Sequence, residues 1–274
     1  MPAIITNKFR IHNSEQFSES FSEASPNVYY MGLGRPQAFA TSTRGDSRTE
    51  NEGTDSAPLT PIDDVQTEFF TYDDLLAVKK IASSDTTFCI PRRDWVTATT
   101  YDIYRHDYGN RVTGGSTTQA ANSGATNLYD ATFFVMNSSY QVYKCLDNDG
   151  DTASTVAPSG TSTSILSTAD GYKWKYMYSL SASQRSNFLS TDFMPVATDS
   201  TVSSAAVDGA VNVCRIKTAG SGGANGSHTS VAIRGDGSSG AATVTVAGGV
   251  VTAVAVTTPG TGYTYGYIRN ADIV

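Results

Sequence analysis

Charge is scarce in this chain. Only 16% of its 274 residues are Asp, Glu, Lys or Arg, and the acidic ones outnumber the basic ones by 26 to 19. A net charge of −7 and a pI near 4.9 leave no excess of Lys and Arg to attract phosphate, which argues against a nucleic-acid partner. Long apolar runs are missing too. No stretch approaches the roughly 20 apolar residues that a membrane span needs, and the opening "MPAIITNKFR" lacks the apolar core of a secretory signal. The three cysteines, Cys89, Cys145 and Cys214, are odd in number and far apart. They do not suit a disulfide framework and read as reduced, mostly buried thiols made in a cytoplasm. Histidine is as sparse: His12, His106 and His228 lie far apart in the sequence. No Gly-x-Ser-x-Gly elbow, His-Glu-x-x-His or Cys-x-x-Cys occurs, so no catalytic residue is nominated.

What is abundant points to strands. Fifteen tyrosines and 24 glycines, with many Ser, Thr and Val, favour β structure over helix. Strands are expected at 27–33, 86–90, 127–137, 140–147 and 173–181. In the last, Trp174, Tyr176 and Tyr178 alternate with Lys173, Lys175 and Met177, the pattern of a half-buried strand. Two short helices are expected. One covers 13–24, with Asn13 as cap, Gln16 three residues on, and Phe17 and Phe21 one turn apart. The other covers 71–83, with Thr71 as cap, Asp73 and Asp74 in its first turn and Lys79 and Lys80 in its last, an order that suits the helix dipole. The polar segments 40–64 and 105–125 are too long for idle connectors and suggest contact surfaces.

Composition shifts near residue 205. Residues 205–274 hold 13 of the 24 glycines but only seven charged residues. Within them "AATVTVAGGVVTAVAVTTPG" reads as a hairpin turning at Gly248-Gly249. The expected architecture is therefore mainly β: layered antiparallel sheets with two short helices in domain 1–204, plus a small C-terminal all-β module, 205–274. The chain ends on "IRNADIV", which reads as a shortened form of a longer protein.

Two stretches invite a ligand and are better explained without one. "DNDGD" offers Asp147, Asp149 and Asp151, but a calcium loop needs Gly and Glu where Thr152 and Pro158 stand. An Asx-rich turn explains it, so no metal is expected. "GSGGANG", 220–226, lacks the Lys-Ser/Thr pair and the helix start that a phosphate cradle requires. No cofactor and no small-molecule substrate are expected. That leaves "FCIPRRDW", residues 88–95, a charged cluster in a charge-poor chain. Pro91 ends a strand, Arg92 and Arg93 present planar forks for carbonyls or carboxylates, and Asp94 can neutralise one of them. Trp95 is a large apolar anchor. Pro91, Arg92, Arg93, Asp94 and Trp95 are expected to form a structural latch, in preference to an anion site.

The same residues carry a resemblance. "AIITNKFR" (3–10), "YYMGLGRPQAF" (29–39), "IPRRDW" (90–95), "VYKCLD" (142–147) and "DGYKWKYMYSL" (170–180) stand in an order that resembles the baseplate wedge subunits of the gene product eight type, from T-even-like contractile-tailed bacteriophages. The resemblance implies a mostly β structural virion protein, made in the host cytoplasm and located in the tail baseplate. It would form a homodimer and contact other wedge proteins, without catalytic residues. Two departures stand out: shorter loops between Trp95 and Tyr140, and the 205–274 module, which has no counterpart in the T-even protein. The alternative class is a tail-associated carbohydrate-binding adhesin using the tyrosines of 263–267.

Overall fold

A computed structural model describes residues 7–34, 53–54, 57–58, 75–110 and 118–273. The chain divides into two compact units, 1–87 and 88–274.

In the first unit, α1 spans Asn7–Glu19, beginning six residues before the helix expected from Asn13. Asn13 therefore lies inside the helix, and Ser20, Ser22 and Pro26 follow its end. Ser20 donates to the Phe17 carbonyl at 2.7 Å and its hydroxyl meets that of Tyr29 at 3.0 Å. Phe17 and Phe21 do sit one turn apart, with ring centroids at 5.2 Å, and both contact the Tyr29 ring. Tyr29 opens β1 (Tyr29–Gly34), which pairs antiparallel with β4 (Leu75–Ile81). Between them lie the short pair β2 (Gly53–Thr54) and β3 (Ala57–Pro58). The helix expected at 71–83 is thus corrected: its body is strand β4, because pairing with β1 outweighs the helix-friendly charge order. Its proposed cap Thr71 and first-turn Asp73 and Asp74 lie outside the described residues, as does nearly all of the polar segment 40–64.

The second unit is organised around a four-stranded antiparallel sheet in the order β6-β7-β9-β8, from β6 (Phe134–Met136), β7 (Gln141–Asp147), β9 (Lys173–Ser179) and β8 (Leu166–Ser167). β9 alternates as its sequence promises, with Trp174, Tyr176 and Tyr178 buried. One aromatic cluster gathers Tyr101, Tyr143, Tyr172, Trp174 and Tyr176 around Val135 and Cys145. A second gathers Phe134, Met136, Val142, Tyr178, Leu180 and Met194. The strand expected over 127–137 is reduced to its last part. Asn127 instead accepts the Asp130 N–H at 3.1 Å, and this local turn competes with any ladder. β5 (Cys89–Pro91) pairs with β10 (Phe193–Pro195).

Two helices were not anticipated. α2 (Ala182–Phe188) is capped by Ser181, which exchanges hydrogen bonds with Gln184, and α3 (Ser200–Ala205) by Asp199, whose carboxylate accepts the Thr201 and Val202 N–H groups. The glycine-rich stretch builds the sheet β11-β13-β14 from β11 (Gly226–Ala232), β13 (Ala241–Ala247) and β14 (Val250–Thr258). Gly248 and Gly249 turn the expected hairpin with φ of 61° and 77°, angles open to glycine without a Cβ penalty. A further short pair joins β12 (Arg234–Gly235) to β15 (Gly266–Tyr267). The architecture is mainly β, with several antiparallel sheets and three α-helices among the described residues.

Candidate functional site

The charged cluster at 88–95 leaves β5 and runs along the edge of the main sheet. Arg92 N–H donates to the Asp192 carbonyl at 2.8 Å. Its guanidinium grips Asp94, with the shortest contact at 2.8 Å, and reaches the Ser190 carbonyl at 3.0 Å. The Asp94 hydrogen bond is the main reason that the Arg92 guanidinium holds its proton more tightly than usual. Arg93 forms no ion pair among the described residues. It donates to the carbonyls of Tyr129 and Asp130, at 3.1 and 3.0 Å, and lies over the Phe134 ring at 5.4 Å. The backbone then closes on β6 in parallel: Met136 N–H donates to the Arg93 carbonyl at 2.7 Å, and Trp95 N–H to the Met136 carbonyl at 2.8 Å. Residues 93–95 so cover the free edge of a three-residue strand.

Trp95 is half-buried against the first aromatic cluster. Its indole N–H donates to Ser154 Oγ at 3.1 Å, and Ser154, itself fully buried, donates to Asp170 at 2.9 Å. Asp170 also accepts from the Thr155 and Val156 N–H groups and the Thr168 hydroxyl. Burial pushes this carboxyl upward, but the hydrogen bonds outweigh it and hold the pKa at about 2. Ser154 and Asp170 were not singled out in the sequence. The signal was there for Asp170, an Asp before a Gly at the mouth of a strand, whereas nothing marks Ser154. A second carboxylate that escaped notice is Asp102, 1% exposed, which accepts from Ser123 and Thr132 through both backbone and side chain.

The other sequence candidates lie apart from this junction. In the acidic turn the carboxylates do not converge: Asp147 faces Lys173 at 3.3 Å and Arg215 at 3.9 Å, while Asp151 accepts from Asn148 at 2.8 Å. Positive φ at Asp149, Gly150 and Asp151 fits a tight left-handed turn. No group of three or more His, Cys, Asp or Glu suited to a metal occurs among the described residues. The 220–226 loop packs on the hairpin turn, with Gly223 N–H donating to the Gly249 carbonyl and Gly249 N–H to Asn225. All three cysteines are free, but only Cys145 is buried; Cys89 is exposed and Cys214 intermediate, which corrects the expectation of mostly buried thiols. A polar cleft of about 230 Å³ opens beside Tyr108, Gln119 and Asn148. Its arginines already face carboxylates, Arg105 with Asp107 and Arg215 with Asp147.

Tyr263, one of the proposed sugar platforms, is half-buried and bonded at its hydroxyl to Ile233 and Gly240. A Cβ at Gly237 would stand 2.4 Å from its ring, so the glycines there make room for the tyrosine. Tyr265 and Tyr267 are exposed at 60% and 48%.

The geometry joins the two motifs that carry most of the resemblance, "IPRRDW" and "DGYKWKY", through Trp95, Ser154 and Asp170. A family model described as Bacteriophage T4, Gp8 matches residues 3–208. The chain belongs to that family. As a Gp8-type protein it is a structural subunit of the phage baseplate wedge, and its location is the virion tail baseplate. The match ends close to residue 205, where the glycine-rich composition begins. No helix among the described residues is long and apolar enough to cross a membrane. No curated protein matches the sequence.

Proposed function

We propose that this Gp8-type chain works without catalysing a reaction, by associating with a second copy of itself and docking on other wedge proteins. Family membership over 3–208 carries the reading. Exposed apolar side chains on the β1–β4 ribbon support it: Tyr30, Leu33, Leu76 and Val78 are 57–65% exposed. An isolated two-stranded ribbon is marginal in water, so such a surface favours cover by a partner. Within this reading Pro91, Arg92, Arg93, Asp94 and Trp95 act as a latch that fixes the sheet edge, and no cofactor or metal takes part. Residues 1–204 serve as the wedge domain and 205–274 as an added module. The strand pairings after residue 205 stay within that stretch, which supports the boundary.

A structure of the assembled tail tests the function. Two copies per wedge should meet over roughly 2,000 Å² or more in total, the size of an obligate interface, and touch at least two other protein species. A single copy contacting neither itself nor other wedge proteins would refute it. A truncated chain 1–204 should remain soluble and folded; recovery only as aggregate would refute the boundary.

A further inference from the structure

The register of the main sheet sets Phe134, Lys144 and Lys175 side by side on β6, β7 and β9. Directly opposed residues on adjacent strands share a face, and like charges in that position repel. Both lysines are half-buried, and neither has an ion-pair partner among the described residues. On the same strands Lys173 does meet a carboxylate, Asp147 at 3.3 Å. Acidic residues outnumber basic ones in this chain, 26 to 19, yet among the described residues none forms an ion pair with Lys144 or Lys175. Lys144 instead lies over the ring of Tyr104 at 4.4 Å, and Tyr104, 39% exposed, leans on Phe133 at 5.2 Å. Burial, and then the charge of Lys175, make the Lys144 ammonium easier to deprotonate than an ordinary lysine. The main sheet thus holds two cations together at a cost to itself, without a counter-charge among the described residues.

We infer that Lys144 and Lys175, bordered by Tyr104, form a docking surface for a carboxylate-bearing segment of another wedge protein. This deepens the wedge reading and rests on it. One or two carboxylates between the ammonium groups would remove the repulsion, and the aromatic edge would cover the segment's apolar part. A two-fold pairing of two copies through this patch would bring lysine against lysine, so the isologous arrangement is disfavoured. Phosphate would match the charges as well, but the net charge of −7 repels a nucleic-acid chain at longer range.

The test uses purified tails and a carbodiimide, which joins an amine to a carboxylate only in direct contact. The expected product links Lys144 or Lys175 to an Asp or Glu of a different protein. Acetylation of the two lysines should be fast in the free chain and suppressed in the tail. Lys144→Gln and Lys175→Gln should melt at the same temperature as the parent or higher, because repulsion is relieved, while incorporation into tails falls by about tenfold or more. A purely structural role would lower the melting temperature instead and overturn the inference. So would equal acetylation in both states, cross-links only to a second copy, or retention of the free chain on single-stranded DNA that the variants lose. Tails that contain the chain with both lysines open would refute this inference alone. Tails that lack the wild-type chain would refute the wedge reading and this inference with it.

Discussion

β9 and β4 are both seven residues long, both antiparallel, and both set lysines among apolar side chains. β9 has strands on either side and buries Trp174, Tyr176 and Tyr178 to 7% exposure or less. β4 has one neighbour among the described strands, and its Leu76 and Val78 are 64% and 57% exposed. A strand's side chains stabilise a fold only when another layer covers them. The main sheet therefore holds much of its own stability, whereas the described side chains of the ribbon contribute far less.

The widest gap should appear on truncating one side chain in each region. Trp174→Ala removes a fully buried ring that stacks on Tyr172 at 5.4 Å and should cost ~3–5 kcal/mol in urea unfolding. Leu76→Ala should stay within about 0.5 kcal/mol, as exposed substitutions do. Equal losses would break the comparison.

A smaller effect, about 2 kcal/mol, is expected from Asp170→Asn, which weakens five hydrogen bonds at the edge of the aromatic core. The pH dependence has a defined sign. A carboxyl held at about 2 when folded, against 3.8 ordinarily, stabilises fully above about pH 4 and loses that contribution as pH falls toward 2. Thermal melts of wild type and variant should converge over that window.

Smaller again is the difference between the two arginines. Arg93→Ala strands two carbonyls and uncovers Phe134, for about 1–3 kcal/mol. Arg92→Ala loses a partly exposed ion pair within one turn and one bond to the Ser190 carbonyl, and should cost about 1 kcal/mol or less. Matching melting temperatures for the two would contradict the distinct roles given to them. The smallest effect is none at all: EDTA should leave the melting temperature unchanged, because Asp147 and Asp151 already have protein partners.

How legible this was in the sequence depended on the range of the forces involved. β7, β9 and the β13–β14 hairpin follow from local alternation and a Gly-Gly turn, and they were readable. β4 was not, because "DDLLAVKK" satisfies helix rules over one turn after another, and only its partner strand some 45 residues earlier decides otherwise. α2 was written plainly as Ser181 and Gln184 in capping-box spacing, but the segment is too short for a hydrophobic period to announce it. Around residues 91–95, the arginine-carbonyl chemistry was readable from residue type. Which carbonyls it meets, and that Trp95 reaches Asp170 through Ser154, depends on segments 36 to 98 residues away.

The parallel contact of residues 93–95 with Met136 also bears on the order in which the chain comes together. The hairpin β6–β7 can close as soon as it is made, since its turn holds itself through Asn137, which accepts from the N–H groups of Ser139 and Gln141. The segment that covers β6 must first bridge more than 40 residues, and Arg92 must find Ser190 at a separation of 98. Closing such loops is slow relative to forming a hairpin. For that interval β6 presents bare N–H and carbonyl groups to any neighbouring chain. An unpaired strand edge is a template for another chain, so copies made close together should associate most readily before residues 93–95 reach β6.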